Sequence, residues 1–164
     1  MIEKTYQITE KLLSNGLKST QSLLELLNAE AANLKQKADA DAISALASHK
    51  KDLVAQLEQF TKQLGQVLAT EQLVVSNDGI KAYLVKAKAA GINISESWNY
   101  WNHIARLSQT CRTINEQNGA SIALLSRHTQ RSLQILRGKS PLAATYGPDG
   151  VTRNELFSHT LISV

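Results

Sequence analysis

Cysteine occurs once in the 164 residues, at Cys111. A disulfide-stapled fold and a four-thiolate zinc site are therefore excluded. Proline is nearly missing as well. Pro141 and Pro148 are the only two, so nothing before position 141 is barred from helix on that ground. Aromatic residues make up 5% of the chain, while Leu and Ala dominate the apolar set. That composition favours helices packed through aliphatic seams over an aromatic-rich sandwich or barrel. No apolar run approaches the roughly 18–20 residues of a membrane span, and no basic-then-apolar leader opens the chain. The expectation is a soluble cytoplasmic protein without stable membrane insertion.

What is present is charge of uneven sign. The formal net charge is +4, but residues 1–80 carry 8 basic and 10 acidic groups, and residues 81–140 carry 9 and 2. All six arginines lie at or after Arg106. A basic back half suits either a solvated helix face or a surface for an acidic partner.

Residues 8–38 carry a 3-4 apolar spacing at Leu13, Leu17, Thr20, Leu24, Leu27, Ala31 and Leu34, which predicts a seam helix. A polar break at 37–41 offers Asp39 and Asp41 as N-caps. A second seam follows at Ile43, Leu46, Lys50, Leu53, Leu57, Phe60, Leu64 and Val67. Two such seams around a short break predict an antiparallel hairpin. Lys50 falls on its seam, with its stem on apolar neighbours and its ammonium reaching water as the first reading and a partner carboxylate as the second.

Asn77 is the expected cap of a short helix that Gly91 terminates. Asn93, with Glu96 three residues on, opens a helix that nothing breaks until Gly138, roughly 60 Å of it. Ile104, Leu107, Cys111, Ile114, Asn118, Ile122, Leu125, Thr129, Leu133 and Leu136 share one side and are expected to face the core. Leu124 and Ile135 fall among the arginines with His128 between them and Arg131 alongside, a candidate second contact face. Gly119 costs about 1 kcal/mol in mid-helix against Ala. It marks a kink, a close helix approach or a place where a partner comes near. Trp98, Tyr100 and Trp101 are placed to plug one end of the bundle. The fold class predicted is all-α: a long-helix hairpin packed with a further long C-terminal helix in an elongated coiled-coil-like bundle. The helical domain is taken as 1–138, and 139–164 as a flexible Pro/Gly-containing tail.

Catalytic and metal chemistry have no visible carrier. His49, His103, His128 and His159 do not stand at i, i+4, and no HExxH, Glu-x-x-His, EF-hand or phosphate loop occurs. Cys111 lies on the apolar stripe and reads as an inert core thiol. The expectation is an interaction protein with no catalytic residue, no metal and no cofactor.

Asn115-Glu-Gln-Asn-Gly119, then Leu124, Leu133 and Leu136, then Tyr146-Gly-Pro-Asp-Gly150, resemble the FlgN-type flagellar export chaperones. Those proteins follow an N-x-x-N-G helix with a Pro-containing linker and a Y-G-x-D-G motif. The acidic break at 39–41, followed by Leu46 and Lys50, is similar too. The resemblance implies a bacterial cytoplasmic chaperone, transiently at the flagellar export apparatus, for the hook–filament junction proteins FlgK and FlgL. Such a chaperone prevents premature assembly and delivers its substrate to the type III export gate. It further implies substrate binding on the C-terminal helical region, here Asn118, Gly119, Leu124, His128, Arg131 and Ile135. Tyr146, Gly147, Asp149 and Gly150 would dock on the cytoplasmic domain of the gate protein FlhA. The apolar stretch at 156–162 departs from the pattern. The rival readings are another helical adaptor or secretion chaperone with a different substrate, nucleic-acid binding through the arginine face, and a small helical enzyme. Few aromatics alternate with the arginines, which argues against single-strand stacking and for no nucleic acid.

Overall fold

The computed structural model describes residues 1–36 and 38–137. It is all-α, with four helices packed against each other: α1 (Ile2–Gln36), α2 (Ala40–Thr70), α3 (Asn77–Ala89) and α4 (Ser95–Leu136). The chain divides into two compact units, Met1–Asn115 and a second from Glu116 onward, so α4 contributes to both.

In the first unit, α1 and α2 form the antiparallel hairpin. Its direction follows from pairings that run in opposite senses, Gly16 against Phe60, Ser19 with Gln56 and Glu30 with Lys50. The buried seam of α1 is Tyr6, Thr9, Leu13, Gly16, Thr20, Leu23, Leu27 and Glu30, with Leu26 beside it. Leu13, Thr20 and Leu27 lie on it as the spacing predicted. The other half of the seam is shifted by one residue: Gly16 and Leu23 face inward where Leu17 and Leu24 were expected, and Glu30 replaces Ala31. The cause is close packing at the hairpin. A Cβ on Gly16 would stand 2.7 Å from the Phe60 ring, so only glycine admits that ring at this position.

Each turn has its own chemistry. Asp39 caps α2 by accepting from the Asp41 amide at 3.1 Å. α2 ends in a Schellman turn: Leu73 N–H reaches Leu68 O, Gln72 N–H reaches Ala69 O, and Gln72 takes φ 59°. Ser76, not Asn77, caps α3, because its hydroxyl accepts from the Gly79 amide at 2.9 Å. The Asn77 side-chain Oδ1 instead receives the Trp101 indole N–H at 2.9 Å. Gly91 terminates α3 as expected, at φ 82°. The Asn93 side-chain Oδ1 accepts from the amide and hydroxyl of Ser95 at the start of α4.

The main core joins the start of α1 to the end of α2, to α3 and to the start of α4. Tyr6, Leu64, Val67, Leu68, Ile80, Tyr83, Leu84 and Ala87 are buried there, and Trp98 and Trp101 pack against them. The two tryptophans thus close this end of the bundle. Each fully buried Leu contributes about 1.5–3 kcal/mol. A second, smaller cluster gathers Leu23, Leu27 and Cys111, with Leu53, Leu57 and Ile114 against it.

Candidate functional site

Three polar arrangements fix the first half of α4. The Tyr6 hydroxyl lies 3.0 Å from Asn93 O and 2.8 Å from Ser97 Oγ, tying the start of α1 to the start of α4. Burial pushes the Tyr6 phenol above its ordinary value, against the Ser97 hydrogen bond that lowers it. Farther along, Cys111 is buried, its Sγ lies 3.9 Å from Thr20 O, and burial raises its thiol pKa. A thiol held neutral in this way is a core residue and not a nucleophile.

The third arrangement corrects the reading of Lys50. Its Nζ donates to both oxygens of Glu30, at 2.9 and 3.1 Å, and to Asn115 Oδ1 at 3.1 Å. The Glu30 side chain is 1% exposed and that of Lys50 24%. One ammonium therefore joins α1, α2 and α4 inside the first unit. The sequence hid this because a glutamate in a Leu/Ala helix reads as a surface residue.

In the second unit the long helix changes character. Ile122 and Leu125 are each 36% exposed, Leu133 45% and Leu136 82%, and Thr129 is exposed too. These residues were expected in the core, and the structure overturns that. Periodicity assigns a residue to a side of the helix, but whether anything packs there is decided by the rest of the fold. On another side of the same helix, Leu124 is 56% and Ile135 63% exposed, with His128 and Arg131 exposed beside them. Asn118 is buried. At Gly119 a Cβ would meet open space, so no close approach within the described residues demands the glycine. Tyr146, Gly147, Asp149 and Gly150 lie outside the described residues, as do the boundary at 138 and the apolar stretch at 156–162.

Six large apolar side chains thus stand exposed between positions 122 and 136. Single exposed leucines are ordinary, whereas this many on four helical turns, on two sides of the helix, exceeds that ordinary scatter. Two open grooves also run along the hairpin, one lined by Leu26, Leu46, His49 and Leu53, the other by Leu12, Gly16, Ala55 and Phe60. No group of His, Cys, Asp or Glu among the described residues is arranged to hold a metal ion. No helix among them is long and apolar enough to cross a membrane.

A family model described as FlgN protein matches residues 1–154. Neither the curated proteins nor the solved structures contain a match.

Proposed function

The chain belongs to the FlgN family of flagellar export chaperones, and on that premise we propose that it captures the C-terminal helical segments of FlgK and FlgL. Capture prevents their premature assembly in the bacterial cytoplasm. Delivery to the type III export gate follows, through the cytoplasmic domain of FlhA. The observation that carries this reading is the run of exposed apolar side chains on α4 beyond Asn118. Leu124, His128, Arg131 and Ile135 line one side of it, with Asn118 and Gly119 at its start.

The energetics suit a helix-in-groove interaction. Ordering a disordered segment costs about 2–5 kcal/mol. The exposed parts of the six apolar side chains together amount to about three whole side chains, worth about 5–10 kcal/mol on burial, which offsets that cost. Nothing in such a cycle of capture and release calls for a cofactor, a metal or catalysis. Tyr146, Gly147, Asp149 and Gly150, in the tail from 139 onward, form the separate element for the gate.

Calorimetric titration of the full chain with the C-terminal segments of FlgK and FlgL tests the reading. Saturable 1:1 binding with a negative heat-capacity change is expected. Leu124→Asp and Ile135→Asp should weaken it about tenfold or more while helicity is kept. Tyr146→Ala should spare substrate binding and lower affinity for the FlhA domain. A folded chain that gives no heat with either segment defeats the proposal.

A further inference from the structure

The apolar stripe of α4 carries two different spacings. From Ile104 through Leu107, Cys111 and Ile114 it steps by 3, 4 and 3. From Cys111 onward, every stripe residue recurs eleven positions later: Cys111, Ile122 and Leu133; Ile114, Leu125 and Leu136; Asn118 and Thr129. Apolar maps to apolar and polar to polar, a 3-4-4 rhythm. A continued heptad would instead fall on Ser121, Leu125, His128, Ser132 and Ile135, of which three are polar. The buried seam of α1, by contrast, keeps strict 3-4 steps from Tyr6 to Glu30.

The difference has a geometric consequence for whatever covers the stripe. A seven-residue repeat tracks 3.5 residues per turn and an eleven-residue repeat about 3.67, on opposite sides of the straight helix. Over the stretch 122–136 the two drift apart by roughly 60°. That is more than half the roughly 100° width of an apolar stripe, so a heptad-spaced helix in register at one end misses at the other.

The occupant follows from continuity. At Cys111 and Ile114 the same stripe is already filled by an α-helix, through Leu23 and Leu27 of α1. The side chains flanking its exposed part are small, at Gly119, Ser121, Ser126 and Ser132. A Cβ at Gly119 meets open space, so a second helix has room to lie close. We propose that Ile122, Leu125, Leu133 and Leu136 take a helical segment of the exported protein whose own apolar residues follow 3-4-4 spacing, and that the stripe discriminates against heptad-spaced helices. This rests on the capture reading above and adds what the captured segment must look like.

The test uses the full chain and two fluorescent synthetic helices of about 15 residues and identical composition, one with leucines in 3-4-4 spacing, one in 3-4 spacing. The C-terminal segments of FlgK and FlgL are titrated alongside. The 3-4-4 helix should bind about tenfold more tightly, the effect of the heptad helix leaving one large apolar side chain uncovered at the end of the pairing. Leu125→Asp should abolish binding of both helices with far-UV circular dichroism unchanged. The double substitution Ser132→Leu with Leu133→Ser conserves composition and turns the stripe to steps of 3, 4, 3 and 4, so it should reverse the preference. Equal affinities, or a heptad preference in the unaltered chain, overturn the inference. So does binding of a FlgK or FlgL segment with neither synthetic helix bound, an outcome that leaves the capture reading standing. If no segment binds at all, the capture reading falls and the inference with it. A dimer in sedimentation that Leu125→Asp dissociates gives the stripe to a second copy. Strong hydrogen-exchange protection of 122–136 in the empty chain gives it to the chain's own residues. Either result overturns the proposal.

Discussion

Replacing Lys50 by methionine keeps most of the stem that lies between the helices and removes the ammonium. Glu30, 1% exposed, then loses the cation that holds both its oxygens at 2.9 and 3.1 Å. Breaking a buried pair from one side costs about 3–5 kcal/mol. The 24% exposure of Lys50 shows that water reaches that end, which places the cost near the lower figure, about 3 kcal/mol. For a chain of this length that is roughly 9 °C in Tm. Glu30→Leu should cost less, since the ammonium it abandons has that access to water. The double variant, Glu30→Leu with Lys50→Met, removes both charges and should lie within about 1 kcal/mol of the parent or above it. The coupling between the two sites is then about 3 kcal/mol. Urea unfolding at pH 7, followed by far-UV circular dichroism, measures all three differences. A Lys50→Met chain within about 0.5 kcal/mol of the parent, or a double variant no better than Lys50→Met alone, would refute the reasoning.

Tyr6→Phe should cost about 1–2 kcal/mol, because it removes the hydroxyl that meets Asn93 and Ser97. Because burial raises the Tyr6 pKa from 10.0, the native state holds this proton more tightly than the unfolded chain. Its contribution is complete below about pH 10 and is lost as pH rises through the higher native value, so the gap between parent and variant should narrow in alkaline urea titrations. A gap that widens with pH contradicts this. Gly119→Ala should raise the urea midpoint by the equivalent of about 1 kcal/mol, since the new methyl meets open space and the helix gains propensity. A lowered midpoint would show that the glycine is needed by the fold itself. Gln72→Gly should stabilise by about 0.5–1 kcal/mol, because its φ of 59° suits glycine, and an unchanged Tm would count against that.

The helices themselves were legible because Leu/Ala seams with proline confined to the last 24 residues admit few alternatives. Asp39 and Gly91 were legible for the same local reason, since caps depend on a handful of adjacent atoms. Legibility failed where a distant part of the chain decides. Tyr6, Thr9 and Glu30 on the α1 seam are met by Ser97, Tyr83 and Lys50 from other helices, partners that α1 alone does not reveal. The shift from Leu17 to Gly16 depends on the Phe60 ring. At the candidate site, the exposure of Leu124 and Ile135 was legible from their place among the arginines. Ile122, Leu125, Leu133 and Leu136 were assigned to the core because a stripe has the same period whether or not it is covered.

The tie between Tyr6 and Ser97 spans 91 positions of chain. It sets an order of events during synthesis. The hairpin of α1 and α2 depends on neighbours in sequence and can close as soon as α2 has emerged, within about 1 μs to 1 ms for local helical contacts. The Tyr6 hydroxyl cannot find its partners until the start of α4 has left the ribosome. At about 5–20 residues per second, the stretch between Thr70 and Ser97 takes on the order of seconds to appear. Through that interval Leu64, Val67 and Leu68 have the cover of α1 alone and wait for α3 and α4 to complete it.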